Sequence, residues 1–305
     1  MGILVDENTR VVVQGITGRE GSFVTNEMLR YGTKVLAGVT PGKGGEVVHG
    51  VPVYDTLKQA LKAHPDINTS LVYVPPLSAK DAAIEAISNG IRLINIITER
   101  VPIHDTADLY SYAVSKGARV VGPTSVGILT PGKCKLGPIG GTNPDFQFKP
   151  GRIGIVSKSG SMTSETAWVL CQAGFGISTA LSVGGDVIAC STFADLLPLF
   201  EADPETDAVV MFGEPGGVYE EQAAELVRQG GFTKPLIAFI AGKFVDAMPS
   251  GITFGHAGAI MERGMGSPRQ KVEALRAAGV RVADVHHEIT TLVAEALGQR
   301  VGRTA

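Results

Sequence analysis

The sequence predicts an α/β protein built from two doubly wound parallel-sheet domains. Three observations carry that expectation. Short β-branched runs alternate with amphipathic helical stretches, the pattern of parallel strands joined by crossover helices. The alternation lapses over a stretch rich in Gly, Pro and Lys and then restarts. The chain has 305 residues, more than one hydrophobic core ordinarily serves. The expected division is 1–125, a linker region over 126–150, and 151–305.

In the first half the apolar runs are RVVVQGI (10–16), KVLAGV (34–39), SLVYVPP (70–76), RLINIIT (92–98) and RVVGPT (119–124). Helical spacing fills 20–31, 55–64, 78–89 and 106–116. DAAIEAISNG (81–90) shows apolar residues at i, i+3 and i+4 and stops at Gly90, a helix-ending residue. In the second half GRIGIVSKSG (151–160), STALSVGG (178–185), AVVMFGEPGG (208–217), PLIAFIAGK (235–243) and VRVADV (280–285) read as strands. Helices are expected over 160–173, 191–202, 218–229, 267–278 and 287–298.

Composition narrows the function. Hydrophobic residues make up 44% and charged residues 19%, with a formal net charge of -3. That balance gives no basic footprint for nucleic acid and no polybasic patch for a membrane. No apolar run is long enough to span a bilayer, and MGILVDENTR shows neither a secretory nor a transit signal. Three widely spaced cysteines, Cys134, Cys171 and Cys190, suggest a reducing compartment, so a cytoplasmic protein is expected.

VVVQGITGREG places Gly15, Gly18 and Gly21 at a strand-to-helix junction. Small residues there let backbone approach a pyrophosphate, and the helix start offers free N–H groups to it. The alternative is a plain glycine turn. GVTPGKGG (38–45) has no acid to hold ribose hydroxyls and carries Lys43, which suits a phosphorylated ribose, as in NADP or coenzyme A.

The second half carries one bare histidine loop, GITFGHAGAI (251–260). Glycines around His256 admit a large charged group, and imidazole is a nucleophile. VSKSGSMTSE opens a helix after a strand, so Ser159, Gly160 and Ser161 form a phosphate-binding candidate at a helix N-terminus. Glu214 in MFGEPGG stands at a strand's C-terminal end, where α/β sites gather. A carboxylate there can fix the imidazole tautomer and free the other nitrogen. No metal-ligand cluster is visible, and G-x-x-x-x-G-K-[ST] is missing.

Taken in order, QGITGREG, GVTPGKGG, VYVPP, IITE, KPGRIGIVSKSGSMTSE, VGGD, FGEPGG and GHAGAI resemble the succinyl-CoA synthetase alpha-subunit family, ADP- or GDP-forming. The resemblance implies a Rossmann-like CoA-binding domain over 1–125 and a flavodoxin-like phosphohistidine ligase domain over 151–305. It implies His256 as the phosphoryl carrier and Glu214 as its orienting base. Coenzyme A would meet Thr17, Gly18, Arg19, Glu20, Lys43, Val74, Pro75, Glu99, Thr124 and Ser125. ATP or GTP with Mg2+ would belong to a beta subunit with an ATP-grasp fold. GPTSVG (122–127) stands where the family usually has GPNCPG, SKSGS (157–161) where it has SRSGT, and Phe254 where it has Met. Several departures resemble ATP-citrate lyase and citryl-CoA synthetase. Succinate is the expected acid, with citrate or malate as alternatives. A CoA- or dinucleotide-binding sensor without chemistry is the reading from another class.

Overall fold

The computed structural model describes residues 2–247, 255–259 and 266–301, with the side chains of 246 and 247 outside that description. Of the histidine loop, 251–254 and 260 lie outside the described residues, Phe254 among them.

The first half runs β1 (Arg10–Gln14), α1 (Arg19–Tyr31), β2 (Lys34–Val39), β3 (Val47–Val48), β4 (Val51–Tyr54), α2 (Leu57–Ala63), β5 (Thr69–Val72), α3 (Ala79–Ser88), β6 (Leu93–Ile96), α4 (Ile103–Ser115) and β7 (Arg119–Val121). Its sheet has the order β3-β4-β2-β1-β5-β6-β7. Without β3, this is the 3-2-1-4-5-6 order of a dinucleotide-binding fold. Both sheet faces are covered, which suits continuous apolar strands. Val11 and Val13 join one apolar cluster, while Val12 between them faces another.

The second half runs β8 (Ile128–Thr130), β9 (Cys134–Leu136), α5 (Pro144–Gln147), β10 (Pro150–Ser157), α6 (Gly160–Gln172), β11 (Ile177–Ser182), α7 (Phe193–Ala202), β12 (Ala208–Gly213), α8 (Tyr219–Arg228), β13 (Leu236–Ile240), α9 (Pro268–Ala277), β14 (Arg281–Ala283) and α10 (Ile289–Leu297). The order is β14-β13-β12-β10-β11-β8-β9. Its parallel part follows the flavodoxin-like 2-1-3-4-5 order.

The sheets add two details to the sequence expectation. Each parallel sheet carries antiparallel pairing at one edge: β3 pairs antiparallel with β4, and β8 pairs antiparallel with both β11 and β9. The stretch 126–150, expected as a linker, supplies β8 and β9 to the second sheet. The β3–β4 turn has left-handed residues at His49 (φ 51°) and Gly50 (φ 82°), the backbone that a two-residue hairpin needs.

Helix ends follow local chemistry. Gly32 closes α1 in the left-handed region with φ 96°. Thr56 and Thr192 start α2 and α7 with capping boxes, the latter completed by Asp195. No described helix is long and apolar enough to cross a membrane.

Candidate active site

The first component lies at β1 and β5, where strand order reverses in the first sheet. Gly15, φ 87°, packs so closely on β5's exit that a side-chain carbon would sit 2.9 Å from the Tyr73 carbonyl carbon and oxygen. Gly21 lies against the Gly15 carbonyl oxygen in the same way, which seats α1 on the turn. Gly18 caps α1 without a side-chain hydrogen bond, so no capping side chain competes for the N–H groups of the first turn. Beside this turn is a cavity of about 660 Å³, a size that suits a small-molecule ligand. Thr17 and Gly18 line one side, and Val74 and Pro75 the other. Tyr73, also in its wall, keeps a buried hydroxyl with no hydrogen-bond partner among the described residues. Burial, with Glu20 nearby, holds that phenol well above its ordinary range. Free helix-start donors, apolar walls and an orphan hydroxyl fit the phosphates and the nucleotide end of coenzyme A.

The second component is built over the second sheet. His256 Nδ1 lies 2.6 Å from Glu214 Oε2, and Glu214 directly follows β12. On its other side the ring covers Gly185, just past β11, where any side chain would run into the imidazole. Gly258 N–H donates to the Gly185 carbonyl at 2.9 Å and pins the loop there. The imidazole therefore bridges the ends of β11 and β12, the two neighbours of β10. From the end of β10 the chain enters α6. Ser159 caps that helix, accepting from Met162 N–H, and Ser157 Oγ braces the turn by donating to the Ser159 carbonyl at 2.8 Å. A helix start thus sits at the strand-order switch that the histidine spans.

Electrostatics tighten the group. The Glu214 carboxylate raises the imidazole pKa through its hydrogen bond, burial opposes it, and Asp186 and Glu99 add to the rise. Asp186 is itself pushed up by burial, eased by Thr124 Oγ1 donating to its Oδ2 at 2.8 Å. A carboxylate on Nδ1 leaves Nε2 without a partner among the described residues, an arrangement that suits a nucleophilic imidazole.

Residues 6–100 match the CoA binding domain family, and residues 156–281 match the CoA-ligase family. The chain is 48% identical to "Succinate--CoA ligase [ADP-forming] subunit alpha 2" of Archaeoglobus fulgidus, over 97% of this chain and 100% of that one. It belongs to the succinate–CoA ligase alpha-subunit family. An ADP-forming sulfoacetate-CoA ligase subunit of Acholeplasma sp is 43% identical over 97% of this chain and 98% of its own. ATP citrate lyase from Methanothrix soehngenii, solved with citrate and coenzyme A, superposes with a TM-score of 0.89 at 26% identity. That match covers 97% of this chain and 50% of the lyase, so the chain spans about half of the longer protein.

Against this family background the remaining expected residues fall in different places. Arg19 and Glu20 open α1 as an exposed pair 3.2 Å apart. Lys43 lies beyond β2, paired with Glu46 at 3.0 Å, and neither lysine nor pair lines the cavity. Glu99 and Thr124 belong to the histidine end, through Asp186. Ser125 is buried, its Oγ donating to the Ser182 carbonyl at 2.7 Å and accepting from Gly127 N–H at 3.0 Å. That hydroxyl fastens the two halves of the chain and does not face the cavity. Gly160 is forced by Val126, whose side chain occupies the space of any Cβ there, while Ser161 is exposed.

Sequence reasoning missed Gly185 and Asp186 as site residues, although VGGD is among the family motifs. The signal was an acid directly after a glycine pair at a strand end. Away from this site His286 is half-buried, with Nε2 2.9 Å from Thr166 Oγ1 and its ring edge-on to Phe212 and Phe239.

Proposed function

We propose that this chain binds coenzyme A and carries the phosphohistidine of an acid–CoA ligase whose acid is succinate. The observation that carries the reading is the 2.6 Å contact of His256 Nδ1 with Glu214 at the carboxyl end of the second sheet. Glu214 holds the proton on Nδ1. The Nε2 lone pair then attacks a phosphoryl phosphorus, the bond from phosphorus to the leaving oxygen breaks, and Glu214 offsets the positive charge that develops on the ring. Ser159, Gly160 and Ser161 receive the phosphoryl group at the start of α6, where a helix end contributes about 0.3–2 kcal/mol to an anion. A carboxylate oxygen of the acid next attacks that phosphorus, and the N–P electrons return to Nε2. Coenzyme A supplies the thiol that displaces phosphate from the resulting acyl phosphate. Thr17, Gly18, Val74 and Pro75 would hold it, while Arg19, Glu20 and Lys43, which do not line the cavity, would meet its charged end from the exposed surface.

A beta subunit with an ATP-grasp fold would bring ATP or GTP with Mg2+, consistent with the alpha-subunit relatives. The three cysteines are free and buried, which suits a cytoplasmic enzyme. Succinate is supported by the relative at 48% identity, and sulfoacetate, another small dianion, by the relative at 43%.

The test assembles His256→Asn with its partner subunit and nucleotide labelled in the transferred phosphate. The wild type should carry an acid-labile label and form thioester from succinate, and the variant should do neither. Label retained by His256→Asn at the wild-type level would overturn the carrier. Thioester from sulfoacetate or citrate but not succinate would change the acid alone.

A further inference from the structure

Behind Glu214 lies a cluster that the chemistry above does not use. Lys271 and Glu220 are wholly buried, and Lys158 is 6% exposed. Lys271 Nζ reaches Glu220 Oε2 at 2.5 Å and Glu221 Oε2 at 2.9 Å. Lys158 Nζ lies 3.2 Å from Glu220 Oε1 and sits over the Tyr219 ring. A buried ion cluster is a poor stabiliser, because apolar side chains of similar volume often replace one without loss. Among the described residues, its other side-chain hydrogen bonds fall on one turn. Glu220 Oε1 accepts from the Glu214 backbone N–H at 3.1 Å. Lys158 donates to the Gly216 carbonyl at 3.1 Å, and Lys271 to the Gly217 carbonyl at 2.9 Å.

The members also come from separate parts of the site. Lys158 stands between Ser157 and Ser159 in the turn that opens α6. Glu220 lies on α8, just after the glutamate turn. Lys271 lies on α9, which the chain enters after the histidine loop, and Gly266 there accepts from Gly216 N–H at 2.8 Å. We propose that Lys158, Glu220 and Lys271 are positioning residues, a buried ionic clamp that holds the Glu214 turn in register with His256 and with the start of α6. Only the kinetic arm of its test rests on the phosphohistidine reading. Burial would push the Glu220 carboxyl up, but the two ammonium groups outweigh it and hold the group ionised, as a clamp requires.

The test is the paired variant Glu220→Gln with Lys271→Met, which removes one charge of each sign at nearly constant volume. Three quantities are read: the thermal melt, the NMR titration of the His256 imidazole in the full chain, and phosphorylation kinetics in the assembled enzyme. The melt should stay cooperative. The imidazole should titrate lower than in the wild type, because Glu214 is no longer held against it. The kcat for phosphorylation should fall about 10²-fold, the scale of an ångström-sized misplacement, while KM for coenzyme A stays unchanged. An unmoved titration or an unchanged kcat in the folded variant overturns the clamp. Loss of the cooperative melt also overturns it, since the cluster would then be a requirement of folding. A failure of the underlying reading looks different: wild-type His256 would take no phosphate, and the titration arm would still decide the clamp.

Discussion

His256 and Glu214 tie pH to both rate and stability at the scale of single residues. The Glu214 hydrogen bond leads the groups that hold the imidazole above its ordinary pKa of about 6.5. In the proposed reaction neutral imidazole is the attacking form, so phosphorylation should rise with pH through that elevated value. Glu214→Gln should move this acid limb to lower pH, because the protonated ring loses its main partner. The plateau should fall about 10²-fold or more, because the tautomer is no longer fixed. A pH–rate profile of phosphorylation checks both, and an acid limb that stays put would remove Glu214 from its role. The stability effect has a definite sign. A group whose pKa is raised on folding stabilises fully below its unfolded pKa and loses that contribution as pH rises through the folded value. Glu214→Gln should therefore lower the melting temperature below about pH 6.5 and leave it nearly unchanged in alkaline buffer.

Strand ends and the turns that leave them set the site at the next scale. Gly185 leaves β11 without a left-handed φ, so alanine fits the backbone there and the imidazole is what its side chain would meet first. Gly185→Ala should displace the ring and reduce phosphorylation at least tenfold, by roughly the logic of misplacement. Coenzyme A binding, measured by calorimetry, should match the wild type, and equal phosphorylation rates would show that the ring does not need that seat. The same strand ends explain what was legible in the sequence. Val11 to Val13 bury both faces, so β1 declares itself as an apolar run, and Glu214 follows from the rule that sites gather at carboxyl ends. Ile128–Thr130 and Cys134–Leu136 are three-residue strands in a Gly- and Pro-rich stretch, too short to show a period, so that segment read as a linker. Val47–Val48 escaped for the same reason. Asp186 was missed despite standing after a glycine pair, because its partner Thr124 is 62 residues away and no neighbour in the chain announces the contact. Ser125 read as a ligand-site residue beside Thr124, yet its hydroxyl turns to Ser182.

For the molecule as a whole, the two sheets share buried contacts that should make them unfold together. A single apolar cluster runs from Val11, Val13 and Leu71 in the first sheet to Leu136, Val156, Leu181 and Met211 in the second. Buried hydrogen bonds cross the same boundary: Thr130 Oγ1 to the Val5 carbonyl at 2.8 Å, Thr33 Oγ1 to the Lys135 carbonyl at 2.7 Å, and Ser191 Oγ to the Val120 carbonyl at 2.7 Å. Unfolding one half would expose apolar surface and leave these donors and acceptors unpaired, so neither half has a cheap way to open alone. Calorimetry should show one transition whose van't Hoff and calorimetric enthalpies agree. Coenzyme A at about 100 times its Kd should then stabilise the entire chain by about 2.7 kcal/mol, because a ligand of the native state stabilises whatever unfolds with its site. Hydrogen exchange makes the point locally, since coenzyme A should slow global-opening exchange in Ala208–Gly213 as much as in Arg10–Gln14. Two separated transitions, or protection confined to the first sheet, would show that the boundary contacts do not couple the halves and that ligand binding in one leaves the histidine site in the other untouched.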